Sequence, residues 1–177
     1  MKNRIIAAVR NEDALKIACS SDAGMIFDLA PKIDEVEERV ELCKAARKIL
    51  FIHIDMAEGI GKDKAGLKFV KDKGVAGIIS TRSTLIKQAQ ELGLKTVQRM
   101  FILDSQSLET GIEMLKTKPD MIEIMPGVIS PKVIERVCKK TNLPVIAGGL
   151  IETKKEIEDA INAGVVAVST GKEELWN

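Results

Sequence analysis

The stretch Pro144-Val-Ile-Ala-Gly-Gly-Leu-Ile-Glu-Thr-Lys-Lys-Glu156 holds one complete structural unit. A β-branched apolar run, Val145-Ile146-Ala147, stops at Gly148-Gly149. Thr153-Lys-Lys-Glu156 then forms a capping box, the signature of a helix start. The two glycines at the mouth of the strand leave bare backbone there at a cost in chain entropy, so something must come close to it.

The same unit recurs from end to end. Apolar runs fall at residues 4–9, 24–29, 49–55, 75–80, 96–102, 121–125, 144–148 and 165–169. They are near-continuous, as strands buried on both faces should be, and their spacing of roughly 20–26 residues suits one strand and one helix each. The intervening segments carry start and stop signals. Asn11 precedes Glu12-Asp13. Pro31 opens a second helix with Ile33, Val36, Val40 and Cys43 on one stripe. Gly93 and Gly164 act as stops, and Ser130-Pro131 opens another helix. The segment at 62–73 is polar and gives the weakest helix signal.

Eight such units predict a parallel sheet with right-handed crossovers. The choice lies between an open doubly wound sheet and a closed barrel. Both the first and the last run are fully apolar, which an exposed sheet edge would not tolerate. The sequence therefore predicts a small (β/α)8 barrel of the TIM type, one domain over residues 1–177. Only "TGKEELWN" follows the last run, so the eighth helix is truncated.

Composition narrows the function. A chain of 177 residues with 45% apolar and 30% charged residues is an ordinary globular one. The net charge of +1 lacks the overall basic excess of a nucleic-acid binder, although 27 Lys and Arg leave room for a local basic face. Aromatics are scarce and sit in or beside apolar runs, which argues against a base-stacking surface. Cys19, Cys43 and Cys138 are too far apart for a disulfide framework or zinc site, and the single histidine makes a transition-metal centre improbable. Asp55-Met-Ala-Glu58 lacks the further carboxylates a divalent cation needs. No leader or membrane-length run is visible, so the expectation is a cytoplasmic protein without metal, cofactor or membrane partner.

In a barrel of this kind the working groups sit at the C-terminal ends of the strands. Those positions hold Arg10, Asp28, His53, Asp55, Thr81-Arg82, Gln98-Arg99, Glu123, Gly148-Gly149 and Ser169-Thr170-Gly171. A barrel phosphate site uses the loops after strands 7 and 8 and a short helix N-terminus. Gly148, Gly149, Ser169, Thr170 and Gly171 supply both loops, and "KEELW" supplies the helix with its positive dipole end. The bland alternative is that Gly-Gly only permits a tight turn. His53 and Asp55, two apart, share one strand face, either as a hydroxyl-binding or acid–base pair or as a core histidine beside a loop-capping carboxylate. Arg99 can fork onto Glu123 or onto ligand oxygens, or simply close the barrel.

Several stretches together resemble the glycerol uptake operon antiterminator regulatory proteins. They are "AVRN" (8–11), "HIDMAEGIGKDKAG" (53–66), "GIISTRS" (77–83), "VQRMFILD" (97–104), "DMIEIMPG" (120–127), "AGGLIET" (147–153) and "AVSTGKEELW" (167–176). The resemblance spans nearly the whole chain. It implies a barrel that senses glycerol 3-phosphate, acts on the leader of glycerol-uptake messenger RNA, prevents premature termination, and catalyses nothing. By this resemblance Gly148, Gly149, Ser169 and Thr170 hold phosphate, and Arg10, Asp55, Arg99 and Glu123 are candidates for the hydroxyl end. The competing reading is a small barrel enzyme acting on a phosphorylated metabolite through His53, Asp55 and Glu123. The truncated last helix further predicts an exposed apolar patch at Trp176, and with it a homodimer.

Overall fold

The computed structural model describes residues 4–177. Eight strands alternate with seven α-helices among these residues. The strands are β1 Ile5–Val9, β2 Met25–Asp28, β3 Ile49–His53, β4 Gly77–Ser80, β5 Lys95–Phe101, β6 Met121–Met125, β7 Val145–Gly148 and β8 Ala167–Thr170. The helices are α1 Glu12–Ser20, α2 Val36–Ala45, α3 Lys64–Asp72, α4 Ser83–Glu91, α5 Ser105–Glu113, α6 Pro131–Thr141 and α7 Lys154–Asn162. Each strand pairs in parallel with the next, and β8 pairs with β1, closing a TIM-type barrel. All eight apolar runs become strands. No helix among the described residues is long and apolar enough to cross a membrane.

Strand alternation divides the core in two. Ile6, Phe27, Phe51, Ile79, Val97 and Ile146 point inward and fill the barrel. Phe27 and Phe51 pack there with ring centroids 5.8 Å apart, a tilted pair worth about 0.5–1.5 kcal/mol beyond its burial. Their sequence neighbours point outward into a larger shell between strands and helices. Two residues beyond an inward apolar side chain the next inward position is reached. This stacks a second interior layer, His53, Arg99, Glu123, Gly148 and Ser169, above the apolar one.

The helix signals hold in most places. Asn11 Oδ1 accepts from Ala14 N at 2.9 Å, and the Thr153–Glu156 capping box is complete. Ser130-Pro131 starts α6, and Gly93 and Gly164 follow their helices with φ of +78° and +106°. The segment at 62–73 does form a helix, capped by Asp63, whose Oδ1 accepts from Gly66 N.

Pro31 does not open α2. Backbone groups of 31–33 bond instead to the loop after β3, with Glu58 N donating to Pro31 O and Ile33 N to Glu58 O. The helix therefore waits until Val36. Ile33 falls outside it and is 45% exposed, while Val36, Val40 and Cys43 form the buried stripe.

The expected apolar patch at Trp176 is absent as well. After β8 the chain makes one 3-10 turn, Glu173–Leu175, and folds Trp176 back to 1% exposure. The indole Nε1 donates to Thr170 O at 2.9 Å. A single large side chain with a satisfied donor thus joins the outer core there.

Candidate functional site

The upper interior layer is polar and buried. Arg99 and Glu123 are register partners on β5 and β6, 9% and 1% exposed, and Arg99 Nε donates to Glu123 Oε2 at 2.8 Å. The other carboxylate oxygen, Oε1, makes no hydrogen bond of normal geometry among the described residues, although the Ser169 hydroxyl lies near enough to favour the charged carboxylate. Burial pushes the Glu123 carboxyl up, against the pull of Arg99 and the Ser169 hydroxyl. His53 is also buried, and neither ring nitrogen has a partner. Burial, reinforced by the Arg99 guanidinium, lowers its pKa to about 4, so the ring is neutral near pH 7. Unsatisfied buried acceptors cost about 1–3 kcal/mol each, and a fold retains them where something else completes them.

Glu123 opens onto a cleft of about 340 Å³ at the meeting point of β8, β1 and the loops after β6 and β7. Arg10, Arg99, Gly149, Ser169, Gly171 and Glu173 line it, with Ala8, Leu29 and Met125 among its apolar walls. Cations, an unpartnered carboxylate oxygen, a hydroxyl and two glycine backbones therefore meet in one small volume. This is the donor and acceptor set that a phosphorylated polyol requires: guanidiniums and backbone for the anion, a carboxylate for hydroxyls.

The two glycines of the opening stretch differ. A Cβ on Gly148 would overlap Glu123 Oε1, so the space beside that backbone is taken by the carboxylate. Gly148 makes room for Glu123 and, unlike Gly149, does not line the cleft. Gly149 turns the chain with φ +79°, faces the cleft, and would place a Cβ 2.6 Å from Met125 Cε.

Three further expectations shift. Strand β3 ends at His53, and Asp55 lies in a 3-10 turn, Ile54–Met56, so the two do not share a strand face. The Asp55 carboxylate, 3.9 Å from His53 Nε2, instead organises the loop after β4. It accepts from Ser80 Oγ at 3.0 Å, Thr81 N at 2.7 Å and Arg82 Nε at 2.9 Å. Burial opposes its ionisation, but those donors outweigh it and hold the carboxyl below the usual range. Asp55 does not border the cleft. Thr170 lies on the outward parity of β8. Its hydroxyl donates to Ile151 O at 2.7 Å and accepts from Lys172 N, and Thr170 does not line the cleft. The "KEELW" helix is a single 3-10 turn carrying Glu173 and Glu174, too short and too acidic to supply a positive end.

Asp28 and Gln98 also point outward. Asp28 pairs with Arg39 Nη1 at 2.7 Å, and Gln98 bonds Ser83 and Thr117. A second cleft, about 450 Å³, lies on the other side of Arg99 beside Phe101 and α5. Among its lining residues Asp104 and Ser107 bond each other in a capping box, and Gln98 bonds Ser83 and Thr117.

Glu173 and Met125 are not singled out by the sequence reading. The signal for Met125 is present: it is two residues beyond Glu123 and shares its parity. Glu173 enters only through the backward fold of the C-terminus, which local pattern does not encode.

A family profile described as "Glycerol-3-phosphate responsive antiterminator" matches residues 5–176. The chain is 38% identical to the "Uncharacterized protein YgcP" of Escherichia coli K12, covering 99% of this chain and 92% of that protein. Its structure resembles the glycerol uptake operon antiterminator regulatory protein of Listeria monocytogenes, with a TM-score of 0.92, 31% identity, and 98% and 94% of the two chains covered. It also resembles a glycerol uptake operon antiterminator-related protein of Thermotoga maritima, with a TM-score of 0.87, 31% identity and 99% of each chain covered. A deoxyribose-phosphate aldolase-like protein from Coccidioides immitis, at 13% identity and TM-score 0.74, shares the barrel alone. With the profile covering almost its full length, this chain belongs to the glycerol-3-phosphate responsive antiterminator family.

Proposed function

We propose that the chain is a sensor of glycerol 3-phosphate that, when liganded, acts in the cytoplasm on the leader of glycerol-uptake messenger RNA and suppresses termination. The observation that carries the ligand reading is the unpartnered Glu123 Oε1 on a cleft shared with Arg10, Arg99, Ser169, Gly149 and Gly171. A polyol hydroxyl donates to Glu123, and His53 lies within the same layer as a second acceptor. The phosphate faces the Arg10 and Arg99 guanidiniums and the backbone at Gly149 and Gly171.

The family and the cleft favour binding over catalysis. Aldol chemistry through a Schiff base needs an amine nucleophile, and no lysine among the described residues lines this cleft. Homodimerisation remains part of the reading. Its apolar surface is now Phe101, Leu103 and Leu150 on the cleft-bearing end, and sedimentation at micromolar concentration tests it.

Transcription in vitro through the leader terminator of a glycerol-uptake operon tests the function. Read-through should rise when protein and glycerol 3-phosphate are both present, and neither alone should suffice. Unchanged termination, or turnover of triose or glycerol phosphates that is lost in His53→Ala, would overturn it.

A further inference from the structure

Charge is mixed at the cleft end of the barrel. The segments after β3, β7 and β8 bring Asp55, Glu58, Asp63, Glu152, Glu173 and Glu174 there, but also Lys62 and Lys172, and the loops after β1 and β4 add Arg10 and Arg82. Along α6 and at the opposite end cations predominate. Helix α6 carries Lys132, Arg136 and Lys140 at intervals of four, one stripe on one face, with Lys139 beside them, and all four are exposed. From Lys132 to Lys140 the stripe runs about 12 Å.

It leads into a groove of about 520 Å³ between the end of α6 and a 3-10 turn, Met114–Thr117. Lys116, Lys118 and Lys140 line the groove with Thr141 and Asn142, and no carboxylate among the described residues lines it. Its floor is Ile112, Leu115 and Leu143. Glu109 of α5 bonds both Arg136 and Lys140, holding those two heads toward the groove side of α6. Lys116 and Lys118 supply cationic charge around it, and Lys139, exposed and 3.6 Å from Glu135 Oε2, adds a partly neutralised third.

We infer that this groove and the α6 stripe bind the phosphodiester backbone of RNA. The inference rests on the RNA reading above and adds to it a surface. Clustered lysines along a helix are the footprint of phosphate contacts, which orient a nucleic acid without reading its bases. No aromatic side chain lines the groove, so it offers no stacking platform. Ligand and RNA then occupy opposite ends of the barrel. They therefore do not compete for one surface.

The test is a fluorescence-anisotropy titration of a labelled terminator-hairpin RNA across a salt series, with glycerol 3-phosphate saturating throughout. It compares the wild-type protein, the triple variant Lys116→Gln/Lys118→Asn/Lys139→Gln, and a control of equal charge change on α3, Lys64→Gln/Lys68→Gln/Lys71→Gln. Removing one lysine–phosphate ion pair flattens the slope of log K against log[salt] by about 0.7–0.9. The groove variant should therefore lose about two units of slope and at least about tenfold in affinity. The α3 control should lose far less, and glycerol 3-phosphate binding should be unchanged in both. Equal losses in the two variants, or a groove variant that binds like wild type, would overturn the inference. Failure of the wild-type protein to bind RNA at any salt would instead overturn the RNA reading, and the surface with it. Melting curves matching wild type establish that the variants are folded.

Discussion

Asp55 and Glu123 are both carboxylates at the C-terminal ends of barrel strands, and their surroundings differ in kind. Asp55 has donors on both oxygens, from Ser80, Thr81 and Arg82. Glu123 is more deeply buried, yet one of its oxygens has none. A carboxylate whose neighbours complete it closes a loop. One that is buried, half-paired and open to a cavity keeps bonding capacity for a ligand. The same distinction separates Gln98, satisfied between helices, from His53, whose ring nitrogens are both open. Position at a strand end does not distinguish these groups; hydrogen-bond satisfaction does.

The largest expected effect comes from breaking the pair on the binding side. Arg99→Met leaves Glu123 buried without its counter-ion and should destabilise the fold by about 3–5 kcal/mol. Adding Glu123→Leu should recover much of that loss. Chemical denaturation of the single and double variants checks it, and a single variant as stable as wild type would contradict the buried pair.

A smaller effect is expected from pH. The His53 ring is held down to about 4 in the fold, against an ordinary value near 6.5 in the unfolded chain. Between those values the unfolded chain binds the extra proton, so stability should fall as pH drops from 6.5 towards 4, by about 2–3 kcal/mol at most. Glu123, whose carboxyl is pushed up, works in the opposite sense, because its buried charge is relieved on protonation. The difference between wild type and His53→Phe isolates the histidine. The variant should show a shallower loss of stability across that window in melts at stepped pH.

The smallest effect concerns the rim. Glu173 is an exposed carboxylate on a cleft that should receive a dianion. Glu173→Gln should tighten glycerol 3-phosphate by about two- to fivefold, the scale of one screened surface charge. Weaker binding would mean that Glu173 contacts the ligand's hydroxyls rather than opposing its phosphate.

Much of this is legible in the sequence. Eight apolar runs separated by capped amphipathic segments specify the barrel, because strand burial and helix capping are local. Strand parity is legible too. With Phe27, Phe51 and Val97 inward, Asp28 and Gln98 must point outward, while His53 and Arg99 point inward. Thr170, next to inward Ser169, is outward by the same rule. Other features depend on contacts between distant segments. Pro31 looks like a helix start, but backbone bonding to Glu58 claims its neighbourhood. Gly148 looks like a ligand-facing glycine, but Glu123 fills its space from the adjacent strand. Trp176 looks exposed because nothing local signals that the chain folds back to Thr170.

The most direct test titrates glycerol 3-phosphate calorimetrically into three proteins: wild type, Glu123→Gln and Asp55→Asn. Losing a charge-assisted hydrogen bond is worth about 1.5–3 kcal/mol. Glu123→Gln should therefore weaken binding by roughly 10- to 150-fold, while Asp55→Asn, though less stable, should bind as wild type does. Binding unaffected by Glu123→Gln but lost in Asp55→Asn would contradict the assignment of the cleft and of the carboxylate that serves it.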